Sequence, residues 1–416
     1  MPARGVGRAV RDWFGQPRGL TILFLTEMWE KFSFFGMRAL LVYYMTKRLG
    51  FPQEKASLIY GAYAAFVYFT PIAGGWLADR YLGARRAVLI GSAVMMAGHV
   101  LMGFPDLLYP ALACIALGSG LFLPSLPGQV RGLYEASDPR LGSAYNIYYV
   151  GINLGAILSP FVCGTLGELY GWHWGFGAAA IGMGFGLLVY SSGGRYLAPA
   201  PPAELQPVTL KGLNVRLLLG VGIAVVIFRG AYEQLGNTIA LWADTDVDRF
   251  TFGFEIPGSW FQAVDPLLVF LLTPLAVALW LRQAKRGREP SASGKMAIGA
   301  LGLALSYLLL AAVAGLSGGK ASWGWLMLFL FAFTASELFI IPVGLGLFAR
   351  LAPDGMKSIT MAGWFFASFA GNLVAGGLGY FWSRMSHAAF FASMAGVAAL
   401  ASLILHRLER QASHEN

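Results

Sequence analysis

The chain has 416 residues, of which 57% are hydrophobic and 12% charged, with 30 Lys and Arg against 21 Asp and Glu and a mean hydropathy of +0.61. Soluble domains carry about 25% charged residues, so this composition excludes a water-soluble globular protein. The basic balance alone would fit a nucleic-acid partner, but the placement of the charges along the chain argues against one, as shown below.

An α-helix rises about 1.5 Å per residue, so crossing the hydrocarbon takes about 20 mostly apolar residues. Twelve segments meet that requirement: 20–46, 55–78, 87–105, 108–130, 141–167, 173–197, 213–243, 258–281, 295–316, 322–350, 358–383 and 386–406, numbered here as helices 1 to 12. The Arg-rich first 18 residues lead into the first span without a small-residue cleavage site, so no cleavable signal peptide is expected. Helix 1 is unusual for a membrane span, because TEMWEKFSFFGMR at 26–38 places Glu27, Glu30, Lys31 and Arg38 in one apolar helix. With Phe34 they stand at i, i+3, i+4, i+7 and i+11, along one face. Unpaired charges in a span cost several kcal/mol each, so this stripe is expected to look into a central aqueous cavity.

The loop after helix 2, GGWLADRYLGARR from Gly74 to Arg86, resembles the signature of the major facilitator superfamily. Its site residues are Gly75, Asp79, Arg80, Gly83, Arg85 and Arg86, with glycines for close helix approach and Asp79 able to pair with the arginines across helix ends. Between helices 6 and 7 the stretch APAPPAELQP at 198–207 is Pro-rich and polar. The expected organisation is a six-helix bundle at 1–197, a cytoplasmic linker at 198–212 and a second six-helix bundle at 213–416, as in transporters built from two packed halves. With the N-terminus inside, the inner segments hold 21 of the 30 Lys and Arg, including Arg4, Arg8, Arg11 and the run RQAKRGR at 282–288. The outer loop DTDVDRFTFGFE at 244–255 is net negative. This is the positive-inside pattern. It predicts a multi-pass protein of the cell (inner) membrane with both termini cytoplasmic, and it explains the basic charge without nucleic acid.

Beyond the loop, the stretch EMWEKFSFFGMRALL is similar to the helix 1 segment of the proton-dependent oligopeptide transporters, a family of the major facilitator superfamily. NIYYVGINLGAILSP (146–160), AYEQLGN (231–237), PGSWFQAVDPL (257–267), SELFIIPVGL (336–345) and GWFFASFAGN (363–372) resemble its helices 5, 7, 8, 10 and 11 in order. The resemblance implies an all-α membrane protein with twelve transmembrane helices in two six-helix bundles, not an enzyme. It implies proton-coupled symport of di- or tripeptides by alternating access, driven by the proton gradient with no cofactor or metal. The family's proton-coupling groups fall on Glu27, Glu30 and Lys31, together with Glu233 and Glu337. Its gate pairs the helix 1 base with the helix 7 acid, here Arg38 and Glu233. Its substrate site takes the peptide carboxylate on Arg38 and the amino group on Glu337, assisted by Asn153, with Tyr68 and Trp364 among the lining aromatics.

The departures from the family are specific. The helix 4 Lys-Pro-Asn reads LPS, with Leu123 and Ser125 in place of Lys and Asn; the helix 1 tyrosines are Phe34 and Phe35; and Lys31 replaces an Arg. The helix 8 Asn is Asp265, and the Trp one turn before the helix 7 acid is Arg229. Arg229 is expected either to stand in for the missing Lys, to pair with Asp265, or to reach solvent at the outer helix end. Without its helix 4 partner, Glu337 is expected to carry a proton itself. An acid at 265 favours a second reading in which the same fold carries a non-peptide, cationic solute. Loss of the helix 4 Lys favours a third, a receptor without transport. The linker leaves no room for the extra helix pair that many bacterial members insert. Cys114, Cys163 and His99 read as packed interior residues.

Overall fold

The computed structural model describes residues 15–135, 138–197, 215–352 and 357–414. The segment 198–212, expected to link the halves, and Arg4, Arg8 and Arg11 lie outside the described residues. Among those residues eleven helices are long and apolar enough to cross a membrane. They are α2 (Gln53–Leu82), α3 (Ala84–Leu101), α4 (Pro105–Gly132), α5 (Leu141–Tyr170), α6 (Trp172–Tyr196), α7 (Val215–Thr245), α8 (Gly258–Lys285), α9 (Ala292–Leu316), α10 (Trp323–Leu351), α11 (Thr360–Arg384) and α12 (His387–Gln411). Preceding them, α1 (Arg18–Tyr43) has the length of a span but carries the four charges of its polar stripe.

Proline and glycine set several boundaries. Pro17, Pro52 and Pro257 stand immediately before α1, α2 and α8, where the missing N–H costs nothing. Gly83 ends α2 at φ 74°, a conformation that a side chain would strain. Pro124 separates Leu108–Phe122 from Ser125–Gly132 within α4. The loop after α7 folds into a tight hairpin, with Phe250–Thr251 pairing antiparallel to Phe254–Glu255. Phe252 and Gly253 take the positive φ values that a two-residue turn needs.

The packing has internal symmetry. In the first half α1 packs on α5 and α6, α3 on α4 and α6, and α2 on α4. Adding six to each number gives the second half: α7 on α11 and α12, α9 on α10 and α12, and α8 on α10. The halves meet through α2 against α11 and α5 against α8, two contacts that the same operation interconverts. At the α2–α11 crossing Gly61 and Gly376 let the backbones touch, and a Cβ on Gly61 would strike the Gly376 Cα.

Every hydrogen bond and ion pair between described residues of opposite halves lies between mid-membrane and the end remote from the termini. Tyr43 donates to the Ala240 carbonyl at 2.9 Å, Ser57 to Asn237 at 2.8 Å, and Gln53 to the Gly379 carbonyl at 2.8 Å. Lys47 pairs with Asp244 at 2.7 Å. The Glu168 carboxylate of α5 accepts the Gly258 and Ser259 N–H groups at 3.0 and 2.8 Å, capping α8 from the opposite half. The protein is therefore closed at the remote face.

An acidic cap at a helix N-terminus contributes about 1 kcal/mol. Glu168→Ala should therefore raise the remote-open population about fivefold. The check is the distance distribution between spin labels at Lys55→Cys and Lys320→Cys. An unaltered distribution would show that the cap contributes nothing to closure.

Candidate functional site

Between the halves lies a cavity of about 350 Å³, within the range of small-ligand pockets. Its charged lining comes from four helices: Arg38 on α1, Arg229 and Glu233 on α7, Asp265 on α8 and Glu337 on α10. Phe35, Tyr68 and Asn153, also singled out from the sequence, line it too.

Glu233 organises one end. One carboxylate oxygen accepts from the Arg38 guanidinium across the halves, and the other accepts from Arg229 one turn earlier on α7 at 2.7 Å. Arg38 also donates through Nε to the Tyr60 hydroxyl at 2.7 Å, so α1, α2 and α7 are tied at one point. Arg229 is 4% exposed and sits over the Tyr68 ring, 4.8 Å from its centroid. Two expectations for Arg229 are thereby corrected: it neither reaches solvent nor pairs with Asp265. The i,i+4 geometry brings Glu233 to it first.

The other end is acidic. Asp265 accepts a 2.6 Å hydrogen bond from Thr334, one turn before Glu337 on α10. Glu337 lines the cavity together with Asp265 and Tyr232. Its Oε2 is shielded from solvent and accepts no hydrogen bond. Asn153 donates its amide N–H to the Tyr149 carbonyl at 2.9 Å, which leaves its amide oxygen for an incoming donor.

The remaining helix 1 charges do not line this cavity, contrary to the expectation of a single water-facing stripe. Glu27 and Glu30 are buried at 2% and 1% exposure. Lys31 lies 3.3 Å from Glu27 and 2.7 Å from Glu30, and Tyr148 of α5 donates to Glu27 at 2.6 Å. One lysine bridges the two acids and Tyr148 donates to one of them, so these charges find their partners inside the first half and not in central water. Phe34 stacks on Tyr63 of α2 instead of lining the cavity. Trp364 also lies off the lining, edge-on to Phe348 and against Gly344. Leu123 is half-buried against the apolar core of the first half, leaving the family's Lys position without charge.

In the loop motif, Asp79 and Arg80, Arg85 and Arg86 are exposed, and Asp79 forms no ion pair among the described residues, so the expected pairing across helix ends is absent in this conformation. Gly75 packs against Pro124 of α4. His99 is buried with Nδ1 unpartnered, as a packed residue.

Tyr60, Tyr149, Tyr232 and Gln262 belong to the site and were not picked out from the sequence. Each had a positional signal. Tyr60 precedes Tyr68 by two turns, Tyr149 precedes Asn153 by one, Tyr232 adjoins Glu233, and Gln262 lies three residues before Asp265. A second cavity of about 360 Å³, between α7, α11 and the end of α10, is lined by apolar side chains and Thr360 and offers a charged solute no partner.

The sequence pattern of the POT family matches residues 85–217 and 213–394. A di-/tripeptide transporter of Lactococcus lactis subsp. cremoris is 31% identical, with 97% of each chain covered. That alignment runs over 485 positions, so the relative carries segments this chain lacks. The peptide transporter YePEPT of Yersinia enterocolitica is 32% identical over 89% of this chain and 88% of its own. Among solved structures, a peptide transporter POT in complex with sulfate superposes with TM-score 0.90 at 31% identity, covering 96% of this chain and 97% of its own. A POT family transporter in complex with 5-aminolevulinic acid gives 0.89 at 26% identity, covering 97% and 98%.

Breaking a buried ion pair from one side costs about 3–5 kcal/mol, because the partner charge is stranded. Glu233→Gln strands two guanidiniums and should lower the melting temperature in detergent more than Arg229→Met. Combining the two should recover part of the loss. The reverse order would show that Glu233 is not the shared counter-ion.

Proposed function

The chain belongs to the POT family, and from that membership we propose that it is a proton-coupled symporter importing di- and tripeptides across the cell membrane, with both termini cytoplasmic. The observation that carries this reading is the polarity of the cavity. Guanidiniums stand at one end, a carboxyl pair and an amide oxygen at the other, and aromatic and apolar walls between, which is the complement of a zwitterion with a variable middle.

In this reading Arg38 takes the peptide carboxylate, and Glu337, Asn153 and Asp265 take the amino group. Arg38 cannot serve the substrate fully while it holds Glu233, so binding competes with the contact that closes the remote side. Arg229 keeps Glu233 neutralised when Arg38 lets go, which lowers the cost of opening. The Arg38–Glu233 contact is then the two-state element that alternating access requires. The remote face is the external one, and this structure is the state closed to the outside.

Proton coupling is assigned to Glu27, Glu30 and Lys31 with Glu233 and Glu337. The helix 1 cluster is buried away from the substrate, so protonating either acid loosens Lys31 without touching the peptide. Lipid and protons are the other partners, and no cofactor is required. The acidic end also supports a second cargo, a non-peptide solute with a cationic group, because Asp265 adds a carboxyl where the family has an amide.

Labelled dialanine should accumulate in proteoliposomes under an inward proton gradient, and a protonophore should collapse that accumulation. Glu30→Gln should abolish concentrative uptake while leaving exchange of dialanine across the membrane. No flux in folded protein would refute the peptide assignment. Glu337→Gln should flatten the pH dependence of uptake, and an unaltered profile would remove Glu337 from the coupling path.

A further inference from the structure

The acidic end of the cavity holds one more ionisable group than the rest of the site balances. Two guanidiniums face three carboxyl groups, and Glu233 already occupies both guanidiniums. No cation arrives from α4, where Leu123 packs half-buried against the apolar core. Asp265 and Glu337 are therefore left with each other, with the Thr334 hydroxyl on Asp265 and with Tyr232 beside Glu337. Tyr149 of α5 also faces them, and at the opposite end Arg38 of α1 is held by Glu233 and Tyr60, and Arg229 of α7 by Glu233. None of these supplies a positive charge at contact distance. Like charges so close, in a span that excludes bulk water, repel strongly, and a single proton held between the two carboxyls removes the repulsion. That proton leaves the charged lining of the cavity neutral. It also leaves one negative charge at this end, which is enough for one ammonium.

We propose that Asp265 and Glu337 hold one proton between them in the empty site and exchange it for a second positive charge when the substrate brings one. A neutral peptide sets its single ammonium against the singly charged pair, and the proton stays. A peptide with a basic N-terminal side chain brings two cations to the same end. The carboxyl proton then leaves to the water of the cavity, both carboxylates become ionised, and each faces one cation. Charge and atoms balance with no other reactant. The chain thereby accepts cationic peptides at the same site as neutral ones, at the expense of one bound proton. This exchange rests on the peptide reading above.

The test is proton release on binding. Purified protein in weak buffer with a pH indicator is titrated with dialanine and with lysylalanine, between about pH 5.5 and about pH 7, where both peptide amines stay charged. Lysylalanine should release about one proton more per bound peptide than dialanine. Correspondingly, the ratio of its Kd to that of dialanine should fall about tenfold per pH unit. Asp265→Asn should remove the difference in protons released per bound peptide, whatever affinity for dialanine it retains. Equal release by the two peptides, or a difference that persists in Asp265→Asn, overturns the proposal. If Asp265→Asn does not fold, the pH dependence of the wild-type Kd ratio decides alone, and a flat ratio overturns it. Binding by neither peptide refutes the peptide reading and this exchange with it, an outcome distinct from equal release by two bound peptides.

Discussion

Much of the site depends on one carboxylate answering two guanidiniums. In lipid-embedded protein an unbalanced charge costs several kcal/mol, and Glu233 lowers that cost by serving as counter-ion to both Arg38 and Arg229. Through Arg38 it also joins the halves, because α1 belongs to the first bundle and α7 to the second. In the proposed cycle the same contact couples the position of the halves to the occupancy of the cavity. A substrate carboxylate at Arg38 would replace what Glu233 gives, and the closure that depends on it would weaken.

The architecture was legible because lipid imposes a length and a composition on every span. Its limits were legible too: α1 is the helix whose charges mark it off from the other eleven, and those charges flagged the site. What the sequence resolved less well was which neighbour each charge takes. The spacing of Arg229 and Glu233 is the ordinary i,i+4 of a helical ion pair, yet the resemblance drew attention across helices, toward Asp265. The partners of Asp265 were not readable at all, since Thr334 lies sixty-nine positions away on α10 and no local pattern joins them. The stripe on helix 1 was read as one water-facing surface. The structure divides it, because Lys31 reaches back to two buried acids within its own turn and the three lie off the cavity.

Two kinds of polar grouping therefore sit on α1 with different duties. The cluster of Glu27, Glu30 and Lys31 is closed on itself and on Tyr148, all within the first half. Arg38, about two turns further along, belongs to the interface. Both lie on a single helix packed on α5 and α6, so under the proposed assignment the coupling between proton and substrate would have a short mechanical path.

The glycine crossing of α2 and α11 has a geometrical consequence. Gly61 lies eight residues from the remote end of α2 and twenty-one from the other, about 12 Å and about 32 Å at 1.5 Å per residue. If the backbones pivot where they touch, the fulcrum is off-centre and the two lever arms are unequal. A given rotation then opens the termini side nearly three times as widely as the remote side. The molecule would admit its cargo through a narrow doorway and discharge it through a broad one, so that size is screened on entry alone.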